Sequence, residues 1–372
     1  MKSEIKNIVR NFKIRGKLLS AKPHGSGHIN DTYLVDLVED RSVKRYILQR
    51  INHHVFLDPE GMMRNIELVT THLGQKIEEL GGDTQRETLS LIPTNDGKSY
   101  LLTSEGEYWR GYQFIEKAST FEFADNPDQV YQAANAFGKF QERLSDYPVG
   151  QLVETIPNFH NTRKRYESFI AALQDDEMNR AHMVKAEIDF LIQREEQASI
   201  LVDLLEKDQL PRRITHNDTK LNNVMIDDQT GIGVCVIDLD TVMPGSSLYD
   251  YGDGIRYVAN TAAEDERDLS MVHFDNQYFE FFTKGYLDAV GDMLTPLELN
   301  YLPDSAILLT LECGMRFLTD YLQGDRYFKV SRSEQNLDRC RTQFKLVADM
   351  EAQIGDMHRV VEKHISGKQA RV

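Results

Sequence analysis

Apolar and polar residues alternate with a period of two over much of the first 115 positions. Residues 17-23, 31-38 and 43-51 read as strands, separated by the run HGSGHIN and by the charged turn EDRS. Ahead of them, Ile5, Ile8, Val9 and Phe12 fit one face of a short helix. A longer helix opens with Asp58 as a candidate N-cap and Pro59 at the first helical position, and Met62, Ile66, Val69 and Leu73 recur along one side of it. Strand patterning resumes at 87-93, 98-103 and 107-115.

From about residue 126 the period becomes helical. Segments 127-145, 161-174, 184-207, 274-290, 303-322 and 336-364 all pattern as amphipathic helices. Only 213-245 interrupts them, where ITHND, NNVMID and GVCVIDLD read as a loop between short strands. The pattern predicts an α+β chain of two lobes, a small β-rich one over 1-115 with a single long helix and a larger, mainly helical one over 116-372. No repeat, low-complexity run or flexible linker separates them, so a cleft between tightly joined lobes is expected.

Composition narrows the partners. Hydrophobic residues make up 41% of the 372 residues and charged residues 27%, so the chain as a whole reads as globular and not as disordered or coiled coil. Its net charge of -16 discourages binding to nucleic acid or anionic membrane. A small phosphorylated ligand needs only a local cluster of donors or a cation, and stays open. Cys235, Cys313 and Cys340 have neither a CxxC spacing nor an even number, which argues against a zinc knuckle or a disulfide framework. The first twenty residues lack an apolar signal region, and no stretch approaches the roughly 18 apolar residues that span a bilayer. Together with free thiols, these features predict a cytoplasmic protein.

The chemistry concentrates in Ile214-Thr-His-Asn-Asp-Thr-Lys-Leu-Asn-Asn-Val224. Asn223 follows Asp218 by five residues, and Val236-Ile-Asp-Leu-Asp240 supplies an acidic pair, Asp238 and Asp240, after an apolar strand. Any one of these alone reads as an ordinary turn or solvated loop. In this order and spacing they match what phosphoryl transfer needs. One carboxylate orients and deprotonates the attacking hydroxyl, while an amide oxygen and a second carboxylate hold Mg²⁺ on the phosphates. Asp218 takes the place of the base, Asn223 and Asp238 those of the metal ligands with Asp240 as a further candidate ligand, and Lys220 can reach the γ-phosphate.

Gly25, Ser26 and Gly27 lie in a glycine turn followed by a strand and not by a helix, which argues against a Walker A loop or a dinucleotide fold and fits a kinase phosphate loop, with a simple hairpin turn as the alternative. The third strand places Gln49 where kinases carry a lysine, followed by Arg50, with Glu67 of the long helix as candidate partner. Either Arg50 replaces the lysine or Gln49 meets phosphate as a neutral donor. The backbone of Phe114, Ile115 and Glu116, at the passage between lobes, is placed to pair with adenine. Asp250 or Asp253 either braces the catalytic loop or caps a helix.

These residues give the chain its likeness. It resembles the aminoglycoside phosphotransferase-like kinases, with their protein-kinase-like fold, and within them the N-acetylhexosamine 1-kinases. The resemblance runs through GHIN at 27-30, RYILQ at 45-49, MRNIELVT at 63-70, THNDTKLNN at 215-223, IDLDTVMPGS at 237-246 and ECGMRFLTDYL at 312-322. It implies ATP and Mg²⁺ as cofactors, phosphorylation of the anomeric hydroxyl of N-acetylglucosamine or N-acetylgalactosamine, and sugar contacts from His28, Asp218, Arg316 and Tyr327. Glu312, one turn before Arg316, offers that arginine a competing ion pair. Another alcohol acceptor (an aminoglycoside, choline or homoserine), a nucleotide-binding pseudokinase and a metal-dependent hydrolase remain as alternatives, and no protein partner is implied.

Overall fold

Strands β1 (Lys17–Pro23), β2 (Asp31–Glu39), β3 (Ser42–Ile51), β4 (Leu101–Leu102) and β5 (Tyr108–Gln113) form one antiparallel sheet in the order β1-β2-β3-β5-β4. The computed structural model describes residues 2–25 and 29–369. Alternation along the strands sends Val35, Leu37, Leu48 and Trp109 to one apolar cluster. There they meet Ile5, Ile8 and Val9 of helix α1 (Lys2–Val9) and Phe12 just beyond it. Asp58 caps α2 (Pro59–Glu79) as expected, accepting the Gly61 N–H at 2.9 Å, and Met62, Ile66, Val69 and Leu73 are buried.

Two strand expectations fail here. Over 87-93 only an isolated bridge forms, Leu91 to Tyr112, because Pro93 has no N–H to carry a ladder onward. Over 98-103 the strand shrinks to Leu101–Leu102. Ahead of it the chain turns back at 94-98, where the Thr94 N–H donates to the Lys98 carbonyl at 2.8 Å.

By its internal contacts this unit comprises Met1–Thr120, Asp146–Pro157 and Val224–Pro244, so the chain leaves it three times and returns twice. Asn65, fully buried on α2, donates to the carbonyls of Val153 and Val242 at 2.8 and 3.0 Å, tying one residue of each returning segment to the helix. The last segment adds strands Val224–Asp227 and Gly233–Val236, which pair with each other and, through the first, with Ala118–Ser119.

The second unit comprises Phe121–Ser145, Asn158–Asn223 and Gly245–Val372. Its helices are α3 (Pro127–Arg143), α4 (Thr162–Asp175), α5 (Lys185–Ile192), α6 (Glu195–Glu206), α7 (Ser247–Val258), α8 (Asn276–Val290), α9 (Pro296–Asn300), α10 (Leu302–Leu322) and α11 (Gln335–Gln369). α10 is buried along most of its length, and α4, α7 and α11 all pack on it. α7 approaches it so closely that a Cβ on Gly252 would lie 2.4 Å from the Ser305 carbonyl oxygen. The single helix expected over 184-207 is two. Ile188 and Leu191 precede the break and Ala198, Leu201 and Val202 follow it, so apolar spacing is kept across it and periodicity alone conceals it. At the break, Arg194 lays its guanidinium on Phe190 and hydrogen-bonds Glu351 of α11 through both of its forks.

None of the three cysteines is in a disulfide, Cys235 and Cys340 being buried and Cys313 half-buried. Among the described residues no helix is long and apolar enough to cross a membrane.

Candidate active site

In the first unit, Gly25 stands at the end of β1 with φ +79, a conformation that L side chains rarely adopt. Ser26, Gly27 and His28 lie outside the described residues. Gln49 and Arg50, the two candidates for the lysine's place, both have partners within the protein. The Gln49 amide is drawn into the sheet, its nitrogen donating to Thr32 Oγ1 and its oxygen accepting from Arg110 Nε, each at 2.9 Å. Arg50 pairs with Asp31 at 3.0 Å and lies 3.8 Å from Glu107, while Glu67 stays on the exposed side of α2. The buried cation here is Arg110 of β5, which sequence reasoning missed. It stands directly across from Gln49 and forms an ion pair with Asp240. Burial works against its charge, but the Asp240 carboxylate outweighs burial and holds the guanidinium above its usual range. One signal was legible: an arginine between Trp109 and Gly111 in an otherwise inward-facing strand.

Asp240 also accepts from Asn30 Nδ2 at 2.6 Å. Two residues earlier, Asp238 exposes its side chain on a left-handed backbone (φ 60, ψ 57), a conformation that Asp and Asn adopt more readily than other non-glycine residues. At the passage segment, the Phe114 N–H donates to the Arg45 carbonyl at 3.3 Å, and the Glu116 carboxylate pairs with the Arg45 side chain. Ile115, between them, is buried.

In the second unit, the loop over 216-219 is held by its own backbone. Asp250 of α7 accepts the N–H groups of His216 and Asn217 at 2.9 and 2.7 Å, and Asp253, one turn on, accepts that of Thr219 at 2.9 Å. Ser246 caps α7, so these two carboxylates brace the loop and do not cap the helix. Gln141, itself accepting from the Tyr286 hydroxyl at 2.6 Å, donates to Asp250 from behind. Burial pushes the Asp250 carboxyl up against these hydrogen bonds. Asp253 lies below its ordinary value despite burial, because Arg256, His160 and Lys220 surround it.

The braced loop presents Asp218, whose Oδ1 lies 2.7 Å from Lys220 Nζ and whose Oδ2 accepts from Asn223 Nδ2 at 3.0 Å. Burial alone would pull the Lys220 ammonium down. The adjacent Asp218 charge prevails and keeps it above its ordinary value, so it stays a cation. Since the Asn223 amide nitrogen is given to Asp218, its oxygen is the atom suited to a cation. That oxygen in this unit and the Asp238 carboxylate in the other are hard donors of the kind Mg²⁺ prefers.

Arg316 on α10 does not pair with Glu312. Glu312 instead takes His160 Nδ1 at 2.9 Å, and the other ring nitrogen of His160 lies 3.2 Å from the Asn217 carbonyl, next to Asp218 in sequence. A carbonyl only accepts, so His160 Nε2 carries a proton. Burial opposes charge on the ring, yet Glu312 raises it above its ordinary value. Arg316 lies among the rings of Phe159, Tyr327 and Phe328, with its guanidinium carbon 5.3, 5.8 and 5.4 Å from their centroids, and Tyr327 is exposed. His160 and Gln141 carry no motif that the sequence could have flagged.

A model of the phosphotransferase enzyme family, APH, matches residues 20–281. Among solved structures, the chain is similar to a microcompartment-associated aminopropanol kinase at 14% identity, with 96% of this chain and 99% of that one covered and a TM-score of 0.58. It is similar at 14% identity to the choline kinase of Cryptosporidium parvum Iowa II, covering 96% and 97% with a TM-score of 0.56. A spectinomycin phosphotransferase in complex with ADP and spectinomycin matches at 14% identity over 92% and 97%, with a TM-score of 0.55. At such identities these are likenesses of fold.

Proposed function

The chain belongs to the phosphotransferase enzyme family, and from that premise we propose that it is an ATP-dependent kinase of the anomeric hydroxyl of N-acetylhexosamines. Asp218, the carboxylate presented by a loop held on three backbone N–H groups, is the single observation that carries the reaction. It accepts the proton of the sugar C1 hydroxyl as that oxygen bonds to the γ-phosphorus and the bond to the β-phosphate oxygen breaks, leaving ADP. Lys220 meets charge developing on the transferred group. Asn223 and Asp238 are the magnesium ligands in this reading, and Mg²⁺ supplies neutralisation of the phosphate charge. Gly25 belongs to the phosphate loop, and the backbone at Ile115 is the position proposed for adenine.

Support for a neutral, hydroxylated acceptor comes from Arg316, a cation among aromatic rings within electrostatic reach of His160 and hence close to the catalytic loop. Choline or an aminoglycoside would meet like charge there. A small cationic alcohol is still the second reading, because two of the similar solved structures are named as kinases of aminopropanol and choline.

The test is ³¹P NMR of the protein with MgATP and, in separate tubes, N-acetylglucosamine, N-acetylgalactosamine, choline and an aminoglycoside. A sugar 1-phosphate resonance coupled to the anomeric proton supports the proposal. Turnover of only the cationic alcohols would transfer it to the second reading.

A further inference from the structure

We propose that Arg110, which faces across the sheet the position where kinase folds carry their third-strand lysine, positions the metal-binding turn by holding Asp240 and does not take over that lysine's phosphate contact. The inference rests on the reading of Asp238 as a magnesium ligand. Gln49 occupies the lysine's place on β3 and Arg110 faces it across the ladder, so the two side chains share one side of the sheet. The Arg110 side chain is 1% exposed, too enclosed to serve a ligand that comes and goes. Its guanidinium binds Gln49 Oε1 with Nε and Asp240 Oδ1 with Nη1.

The other Asp240 oxygen takes Asn30 Nδ2, and Asn30 is fixed in turn by accepting the Asn52 N–H at 2.9 Å. Each oxygen of Asp240 is therefore engaged within the protein, and in this proposal Asp240, which the sequence reading counts among the metal ligands, serves to hold the turn. Two residues before it, Asp238 sits in a left-handed backbone, and buried Leu239 and Asp240 anchor the chain directly after it. Arg110 thus acts on the metal through Asp240 and Asp238, as a positioning residue.

The full-length protein, with a non-hydrolysable ATP analogue, is titrated with Mn²⁺ and followed by electron paramagnetic resonance, alongside calorimetric binding of the analogue without metal. In Arg110→Met, Mn²⁺ affinity and kcat should each fall about 10- to 100-fold, while metal-free nucleotide binding stays within about twofold. If Asp240 were a ligand that Arg110 merely neutralised, removing the cation would leave Mn²⁺ binding unchanged or tighten it, and either result overturns the proposal. An equal loss of metal-free nucleotide binding would make Arg110 a nucleotide ligand and overturn it too.

Should Arg110→Met not fold, Arg110→Lys keeps a cation but lacks the fork that bridges Gln49 and Asp240. A smaller loss of Mn²⁺ affinity supports the proposal, and unchanged or tighter binding overturns it. A wild-type protein that binds neither analogue nor Mn²⁺ would overturn the kinase reading itself, and is told apart because the failure precedes any substitution.

Discussion

Asp218 and Lys220 form a pair whose two members have separable duties. Asp218→Asn retains the size and most of the hydrogen bonding of the side chain but cannot accept the proton. Turnover should drop by about 10²- to 10⁴-fold with nucleotide affinity unchanged, as read by steady-state rates and calorimetry. Retained turnover would remove Asp218 from the role of base. His160 gives a prediction about pH. Its charged ring joins Glu312 and the Asn217 carbonyl, and its folded pKa is raised, so this stabilisation is fully present below the unfolded value of about 6.5 and fades as pH rises through the raised folded value. His160→Gln leaves the buried Glu312 without its cation and should cost about 3–5 kcal/mol in urea unfolding near pH 6. The gap to wild type should narrow in the alkaline range. A gap constant across pH would mean that the ring is neutral in the folded protein.

At the scale of elements, α7 is what makes the catalytic loop rigid. Asp250→Ala orphans two buried N–H groups at about 1–3 kcal/mol each, and hydrogen exchange at His216 and Asn217 should quicken before global unfolding does. Unchanged exchange there would place the brace elsewhere. Gly252→Ala pushes a methyl into the Ser305 carbonyl and should lower stability by about 1–3 kcal/mol in thermal melts. The long elements were legible in sequence because each has one periodic apolar side, as with α2 and its Asp58 cap. Short-range periodicity failed where a tertiary partner decided the outcome, as at the Arg194 break. It also had no means of seeing Arg110 with Asp240, since the two are 130 positions apart and nothing local marks them as partners. Asp250 and Asp253 were visible as a pair with two open roles, and only the geometry of α7 chose between them.

For the whole molecule, an excess of 59 acidic over 43 basic side chains means self-repulsion that salt relieves. Going from about 10 mM to 150 mM salt shortens the screening length from roughly 30 to 8 Å, and the melting temperature should rise. A fall would show that the exposed ion pairs, Arg163 with Glu206 and Arg326 with Glu177 among them, outweigh the net repulsion. The discontinuity of the first unit bears on how the protein is made. The ribosome delivers the amino-terminal sheet first, yet the sheet's buried guanidinium has no carboxylate to meet until residue 240 has emerged. Throughout that interval the nascent sheet is a client for chaperones, and a fragment ending at Thr120 should be degraded in the cell even though it contains every strand of the sheet.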